Sequence, residues 1–505
     1  MNQLVRDVLV VGGGSAGFLT ALTLKIKIPG LNVRVLRSPE IGIIGVGEGT
    51  TPALPFHLFS YLGIDQGEFY KVAQPTWKLG LKLLWGPRPS FNFPFVGMLN
   101  RQAPGFERAV GFYCDDDFED CHLSSSLMSQ DKVFIKTPGG DPKIGGELGF
   151  HIENEKFVRF LEMEAAKRGI AIQDGTAEQV GRDDHGVTQL VLATGEVLHS
   201  DLYVDCSGFS ALLLGKTLQQ PFISFKSTLF CDSAVVGSWP RGNDEPILPY
   251  TTAETMDSGW CWRIEHEHQV VRGYVYSNDF ISDDQAQAEF LRKNPKVQKT
   301  RIVRFKPGRW QDSWVGNVVA IGNASGFVEP LEATALTTIC GGAKLLTEFL
   351  LVNKMSSTPS IRRYFNKQAS GAWDDTREFL GVHYKFNTRL DTPFWRECRA
   401  STDLCEAQDL VDYYQDNGPI LFGPSLINRS NSVFGVEGYM NMLVGQKVPY
   451  KAQFTPSAEE VRKWGMFKQQ NTHMARQSFR VDEALQEIRS PDWEWDNNFY
   501  RTNLL

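Results

Sequence analysis

The run Leu4-Val5-Arg6-Asp7-Val8-Leu9-Val10-Val11-Gly12-Gly13-Gly14-Ser15-Ala16-Gly17 decides the fold of this 505-residue chain. A short apolar stretch ends in the spaced glycines Gly12, Gly14 and Gly17. A helical pattern follows from Ala16 to Lys27 and stops at Pro29-Gly30. Asn32 to Leu36 then reads as a second strand. Strand, glycine loop, helix and strand form the opening unit of a dinucleotide-binding sheet. The first glycine permits a tight turn, and the second lets the backbone approach a pyrophosphate at the helix N-terminus. The third lets helix pack on strand. The expected cofactor contacts are Gly12, Gly14, Ser15, Ala16 and Gly17. An acidic residue about twenty positions further on ordinarily takes the ribose hydroxyls. Here Arg37-Ser38 ends the second strand, followed by Glu40, so Arg37 is assigned to phosphate and Ser38 to the sugar.

Beyond the loop comes a glycine-rich stretch, Ile41-Gly42-Ile43-Ile44-Gly45-Val46-Gly47-Glu48-Gly49-Thr50-Thr51-Pro52. Residues 90–145, rich in Pro, Gly, Asp and Phe and holding Asp115-Asp116-Asp117, read as a long surface excursion. An amphipathic helix is expected from Glu155 to Arg168, closed by Gly169. Short strands follow to residue 205, then a β-rich middle over 220–310, another buried strand at Val318-Val319-Ala320-Ile321, and a mainly helical last 160 residues. A second cofactor contact is expected where that strand ends, at Gly322-Asn323, which favours FAD over NAD. No second glycine loop is present for a nicotinamide nucleotide. Asp205-Cys206-Ser207-Gly208 stands where single-component aromatic hydroxylases carry Asp-Gly…Arg, so the flavin is expected to arrive already reduced. The fold class is α/β (α+β), a Rossmann-like FAD-binding domain of the aromatic-hydroxylase type with an added helical substrate module. The FAD module is expected over 1–345, with inserted segments at about 55–145 and 220–310, and the helical module over 346–505.

The chain is 42% hydrophobic and 22% charged with a net charge of -7, and it has no long Lys/Arg run. Nucleic acid and anionic membrane are thereby poor partners. No apolar stretch of spanning length and no signal-peptide pattern is read, and a cytoplasmic enzyme is expected. The eight cysteines form no C-x-x-C pair and are expected to be reduced.

Four segments together resemble the flavin-dependent halogenases, the tryptophan-halogenase-like family. They are the glycine loop with Ile44-Gly45-Val46-Gly47-Glu48; Trp77-Lys78-Leu79-Gly80-Leu81-Lys82; Gly259-Trp260-Cys261-Trp262-Arg263-Ile264; and Gly326-Phe327-Val328-Glu329-Pro330-Leu331-Glu332-Ala333-Thr334. Order and spacing match from residue 5 to about 345. The C-terminal part matches loosely, through Gly438 to Gly445. The resemblance implies that reduced FAD, supplied by a separate flavin reductase, forms a C4a-hydroperoxide with O₂. Halide (chloride, bromide or iodide) turns this into hypohalous acid. That species crosses a tunnel to a lysine beside an electron-rich, indole-like substrate. The lysine hydrogen-bonds it or becomes a haloamine.

On this resemblance Lys78 is the lysine and Glu332 the carboxylate that polarises the oxidant or takes the ring proton. Thr334 and Ala335 supply backbone N–H groups for halide, which at Ala335 requires a negative φ. Gly45, Glu48 and Gly49 join the cofactor contacts, and Trp260, Trp262 and Ile264 form the wall that keeps substrate from the flavin. Glu265 stands where the family continues with Pro, and Ala333 where it has Ser. On a single strand Lys78 and Lys82 share a face, and the family pattern selects Lys78. Glu265-His266-Glu267-His268 reads as a solvated strand face; with no third ligand apparent, no metal is assigned. Two other functions use the same features: an aromatic hydroxylase, and a non-catalytic FAD-binding protein.

Overall fold

The computed structural model describes residues 4–42, 47–97, 99, 106–114, 118–420 and 432–496. Gly45 and the acidic cluster at 115–117 lie outside them.

The opening run folds as its pattern dictates. Asp7–Val11 is a strand whose Val8, Leu9 and Val10 are fully buried, as in a sheet covered on both faces. The Ser15–Lys27 helix follows, with Lys25 and Lys27 in its last turn, and then the Asn32–Arg37 strand. These strands sit in a six-stranded sheet ordered Trp314–Val315, Val318–Ala320, Leu202–Asp205, Asp7–Val11, Asn32–Arg37, Ala171–Asp174. Its pairs are parallel except the Trp314–Val315 edge. The Asn154–Lys167 helix ends before Gly169, whose φ of +67° gives the left-handed turn that stops it.

The β-rich middle forms a seven-stranded sheet ordered Thr300–Arg304, Ser233–Pro240, Gln269–Tyr276, Gly259–Glu265, Thr251–Met256, Gly80–Leu84, Phe91–Pro94. Between the two large sheets lies a small one: Glu48–Gly49, Gly149–Ile152 and Thr76–Lys78. Lys78 and Lys82 therefore belong to different sheets. Lys82 pairs with Thr252 and Asn92, and its ammonium lies over the Tyr250 ring.

Four expectations are corrected. Of the described residues within 90–145, Phe91, Leu99, Cys114, Phe118 and Cys121 are buried in the core of the seven-stranded side rather than carried over the surface, while 136–143 is mostly exposed. Apolar spacing there was hidden by the Pro and Gly of its turns. The junction expected at 345/346 falls inside one continuous helix, Ala335–Val352. The C-terminal residues Ala475, Phe479, Val481 and Leu485 return to the core beneath the N-terminal sheet, so the helical part is interleaved rather than appended. That same Ala335–Val352 helix has the length and apolarity to cross a bilayer, with a mean hydropathy of 1.5. It packs against the Ser15–Lys27 helix instead. Finally, Glu265 and His266 are buried, not solvated. Glu265 is held by Arg241 at 2.5 Å and Arg263 at 2.6 Å.

Candidate active site

The glycine loop and the Gly322 segment meet. A side chain at Gly12, where φ is +130°, would strike the Cys206 carbonyl, and one at Gly17 would strike the Gly12 carbonyl. A side chain at Gly14 would meet nothing within 4 Å. The outer glycines are thus needed for close packing, while the middle one faces open space, as a pyrophosphate cradle requires. Gly322, with φ +68°, lies across from Ala16: a β-carbon there would sit 3.2 Å from the Ala16 methyl. Asn323 follows in a short 3-10 turn, half-buried. The Arg37 stem covers Gly13, but its guanidinium is engaged by Glu162 and Asp174, each at 2.8 Å. It contributes packing at the loop and has its charge already paired. Ser38 shares a hydrogen bond with Thr176 at 2.8 Å.

Glu48 is the carboxylate of the glycine-rich stretch. Its Oε1 accepts from Asn154 at 2.9 Å, its Oε2 is buried without a partner, and burial raises its pKa. Gly47 and Asn154, on either side of it, line a cleft of about 380 Å³. The open backbone at Gly14 suits a pyrophosphate and the orphaned Glu48 acceptor suits a hydroxyl donor, so the residues present fit FAD.

Lys78 ends the Thr76–Lys78 strand and is fully buried, with no hydrogen-bond partner for its Nζ. The nitrogen lies over the Phe95 ring, 5.2 Å from its centroid. Burial pushes its pKa down to about 7, against the opposing pull of the Glu332 charge. Gly49 explains how it fits: a β-carbon there would come within 3.1 Å of Lys78 Nζ, 3.2 Å of Thr251 Oγ1 and 3.5 Å of the Ala333 methyl. The small sheet thus brings the Glu48–Gly49 strand, Lys78 and the Glu332-Ala333 turn to one point. His151, opposite Thr76 in this sheet, bonds Thr251 at 2.8 Å; burial, then Lys78, holds its pKa well below the usual value.

Glu332 closes a 3-10 turn over Pro330–Glu332 and is 2% exposed. Its Oε1 lies 2.7 Å from His383 Nε2, while His383 Nδ1 lies 3.0 Å from the Phe379 carbonyl. Both ring nitrogens face oxygen, the Glu332 carboxyl at Nε2 and the Phe379 carbonyl at Nδ1, so the ring is fixed in orientation and holds Glu332 in place. Ala333 takes the left-handed conformation, φ +57°, an unfavourable state for a residue with a β-carbon. It turns the chain into the Ala335–Val352 helix, so Thr334 and Ala335 stand at that helix's N-terminus, where N–H groups lack intrahelical acceptors. Ala335 has a negative φ, as a halide contact there requires. Thr51 Oγ1 bonds Thr337 Oγ1 at 2.6 Å, fastening this helix to the glycine-rich stretch.

Trp260 and Trp262 lie two apart on the Gly259–Glu265 strand, on its inner face, buried with Ile264 in the seven-stranded core. Trp262 packs flat on Gly273, and Trp260 Nε1 donates to Glu329 Oε2 at 2.6 Å. The Glu265 carbonyl accepts from Thr76 Oγ1 at 2.5 Å, which joins the Gly259–Glu265 strand to the Lys78 strand. Among the described residues no group of three His, Cys, Asp or Glu is placed to hold a metal, and all eight cysteines are free thiols.

The structure therefore brings together Lys78, Glu332, Gly49, Thr334 and Ala335 at one end, and Gly12–Gly17 with Gly322-Asn323 at the other. Sequence reasoning missed His383, His151 and the role of Glu329. Each is single, apolar-flanked and remote in the chain from its partner. The pairing His383-Tyr384 late in a helix that carries an apolar face was the one available signal.

The family model described as tryptophan halogenase matches residues 7–461. Tryptophan 7-halogenase RebH of Lentzea aerocolonigenes is 31% identical over 443 residues, covering 82% of this chain and 83% of the relative. Tryptophan 6-halogenase ThaL of Streptomyces albogriseolus is 31% identical over 453 residues, covering 83% and 84%. Among solved structures, MibH, a lanthipeptide tryptophan 5-halogenase, superposes with a TM-score of 0.86 at 37% identity, over 96% of this chain and 93% of that one.

Proposed function

The chain belongs to the tryptophan halogenase family, and from that premise we propose that this enzyme halogenates an indole ring by delivering an oxidised halogen from Lys78, with Glu332 as the acid–base partner. FAD, reduced by a separate flavin reductase and bound along Gly12–Gly17 and Gly322-Asn323, supplies the oxygen chemistry that converts halide to hypohalous acid. The Thr334 and Ala335 amides hold the halide at the helix N-terminus. Trp260 and Trp262 keep the substrate out of the cofactor compartment. Lys78 receives the oxidant: as ammonium it donates to the oxygen, and as free amine it displaces water to give an N–halogen bond. Both forms are present near neutral pH with its pKa at about 7. Glu332 takes the proton that the ring loses.

The observation that carries this reading is the buried, unpartnered Lys78 nitrogen under the field of Glu332. A surface or structural lysine would be solvated or paired. The test offers reduced FAD, O₂ and bromide with tryptophan, simple indoles and tryptophan-containing peptides, read by mass spectrometry. A brominated indole is expected. No halogenated product from any of them overturns the proposal, and ¹⁸O from O₂ in the product would make the protein a hydroxylase. The likeness to a lanthipeptide halogenase favours a second reading of the substrate, that the indole is carried by a peptide. In that case the peptides turn over faster than free tryptophan.

A further inference from the structure

Glu329 stands three residues before Glu332, and no role has been assigned to it. It is fully buried, as are Trp260 and Tyr384. Its Oε2 accepts both the Trp260 indole N–H at 2.6 Å and the Tyr384 hydroxyl, while Oε1 has no hydrogen-bond partner. Among the described residues no Lys, Arg or His pairs with it. The titratable groups that act on it or face it are the Tyr384 phenol and the Cys231 and Cys398 thiols. Burial raises its pKa to about 7. A proton added at Oε1 leaves both donations to Oε2 in place, so the contact persists in either state.

Tyr384 is itself locked. Its ring stacks on Trp395, centroids 5.6 Å apart and planes at 21°, and its oxygen lies 3.4 Å from Cys231 Sγ. It is the neighbour of His383, which holds Glu332. One helix, Pro359–Phe386, therefore grips the Ser325–Glu332 segment three times: Trp373 Nε1 on Ser325 Oγ at 3.1 Å, Tyr384 on Glu329, His383 on Glu332. Only the middle grip also reaches the wall strand, through the Trp260 indole. A carboxylate buried without a cation is unfavourable relative to an apolar group of similar size. Here it is retained at the single point where wall, catalytic turn and helix converge.

We propose that Glu329 and Tyr384 are positioning residues for halogen transfer, holding the Trp260 wall in register with the Glu332 turn so that the oxidant made on the flavin side reaches Lys78 rather than escaping. This rests on the halogenase reading. Tyr384→Phe removes one hydroxyl and leaves the ring stack. Glu329→Gln keeps an acceptor and introduces a donor with no partner. Both are assayed with reduced FAD, O₂, bromide and the best indole substrate, measuring brominated product per flavin oxidised. Hypobromite released to solution is trapped by a soluble bromine acceptor. Separately, quenching of bound FAD fluorescence by acrylamide is measured with no halide or substrate.

In both variants reduced FAD is still oxidised, product per flavin falls at least fivefold, trapped hypobromite rises to match, and the substrate KM stays within twofold. Acrylamide quenching increases. Product per flavin and quenching both unchanged in folded Tyr384→Phe would overturn the inference, even if Glu329→Gln fails to fold. If the wild-type protein yields neither product nor trapped hypobromite, the halogenase reading fails. The quenching experiment then decides the positioning role alone: an increase in Tyr384→Phe supports it and an unchanged value overturns it.

Discussion

Two buried charge clusters lie near the two ends of the Thr76–Lys78 strand, Glu265 by Thr76 and Glu332 by Lys78, and they are built oppositely. Around Glu265 every charge is answered: Arg241 and Arg263 hold it, Arg263 also reaches Glu245 at 3.2 Å, and Lys296 meets Glu245 at 3.0 Å. Arg241 further donates to the His266 carbonyl at 3.0 Å. Around Lys78 the cation has no hydrogen bond, and the carboxylate whose charge acts on it, Glu332, is already engaged by His383. The comparison teaches that full pairing ties Glu265 into the architecture, whereas Lys78, left without a hydrogen bond at the same depth, keeps its nitrogen available.

The difference can be broken in order of expected effect. Arg241→Met takes one of its two cations from buried Glu265, together with the donations to the His266 and Pro246 carbonyls, and should cost about 3–5 kcal/mol in urea unfolding. The folded fraction should keep its halogenation rate within a few-fold. Lys78→Met should act in the opposite direction on stability. Folding lowers the lysine pKa from 10.5 to about 7, so the unfolded chain binds the proton more readily. That penalty is fully present below pH 7, shrinks as pH rises from 7 to 10.5, and is absent above. Lys78→Met therefore stabilises by roughly 4 kcal/mol at pH 7 and by much less at pH 10, by the linkage of pKa to stability. A variant less stable than wild type at pH 7 would refute the unpaired cation.

Glu332→Gln should lower product formation about 100-fold, the usual scale for a proton-transfer group, with flavin oxidation continuing. Gly49→Ala is the smallest change. Its methyl lands 3.1 Å from Lys78 Nζ, tighter than ordinary contact, and should cost about tenfold in halogenation, as misplacement of a reacting group does. Equal rates for Gly49→Ala and wild type would mean the nitrogen is free to move.

The same contrast explains what the sequence made legible. The glycine loop, its flanking strands and Gly322 are read from local rules, because tight turns and close backbone approach leave little choice of residue. Lys78 and Lys82 look alike in the sequence, and only the structure separates them: Gly80 starts a new sheet and Lys82 lies over Tyr250. Glu265 was misread as solvated because its partners, Arg241 and Arg263, look like ordinary surface residues until the sheet folds. His383 and Tyr384 were missed because each meets its glutamate across more than fifty residues, 51 and 55 respectively, and no short-range spacing encodes that meeting. The strain was expected to matter at Ala335 and lies instead at Ala333, where the turn before the helix demands it.

The central claim is tested most directly by comparing Lys78→Met with wild type under reduced FAD, O₂ and bromide, counting brominated indole and oxidised flavin in the same vessel. The account predicts that, with a soluble bromine acceptor present to capture released hypobromite, Lys78→Met oxidises reduced FAD at a rate within twofold of wild type and yields no brominated indole above a no-enzyme control. Brominated product from Lys78→Met at a comparable yield per flavin would contradict it.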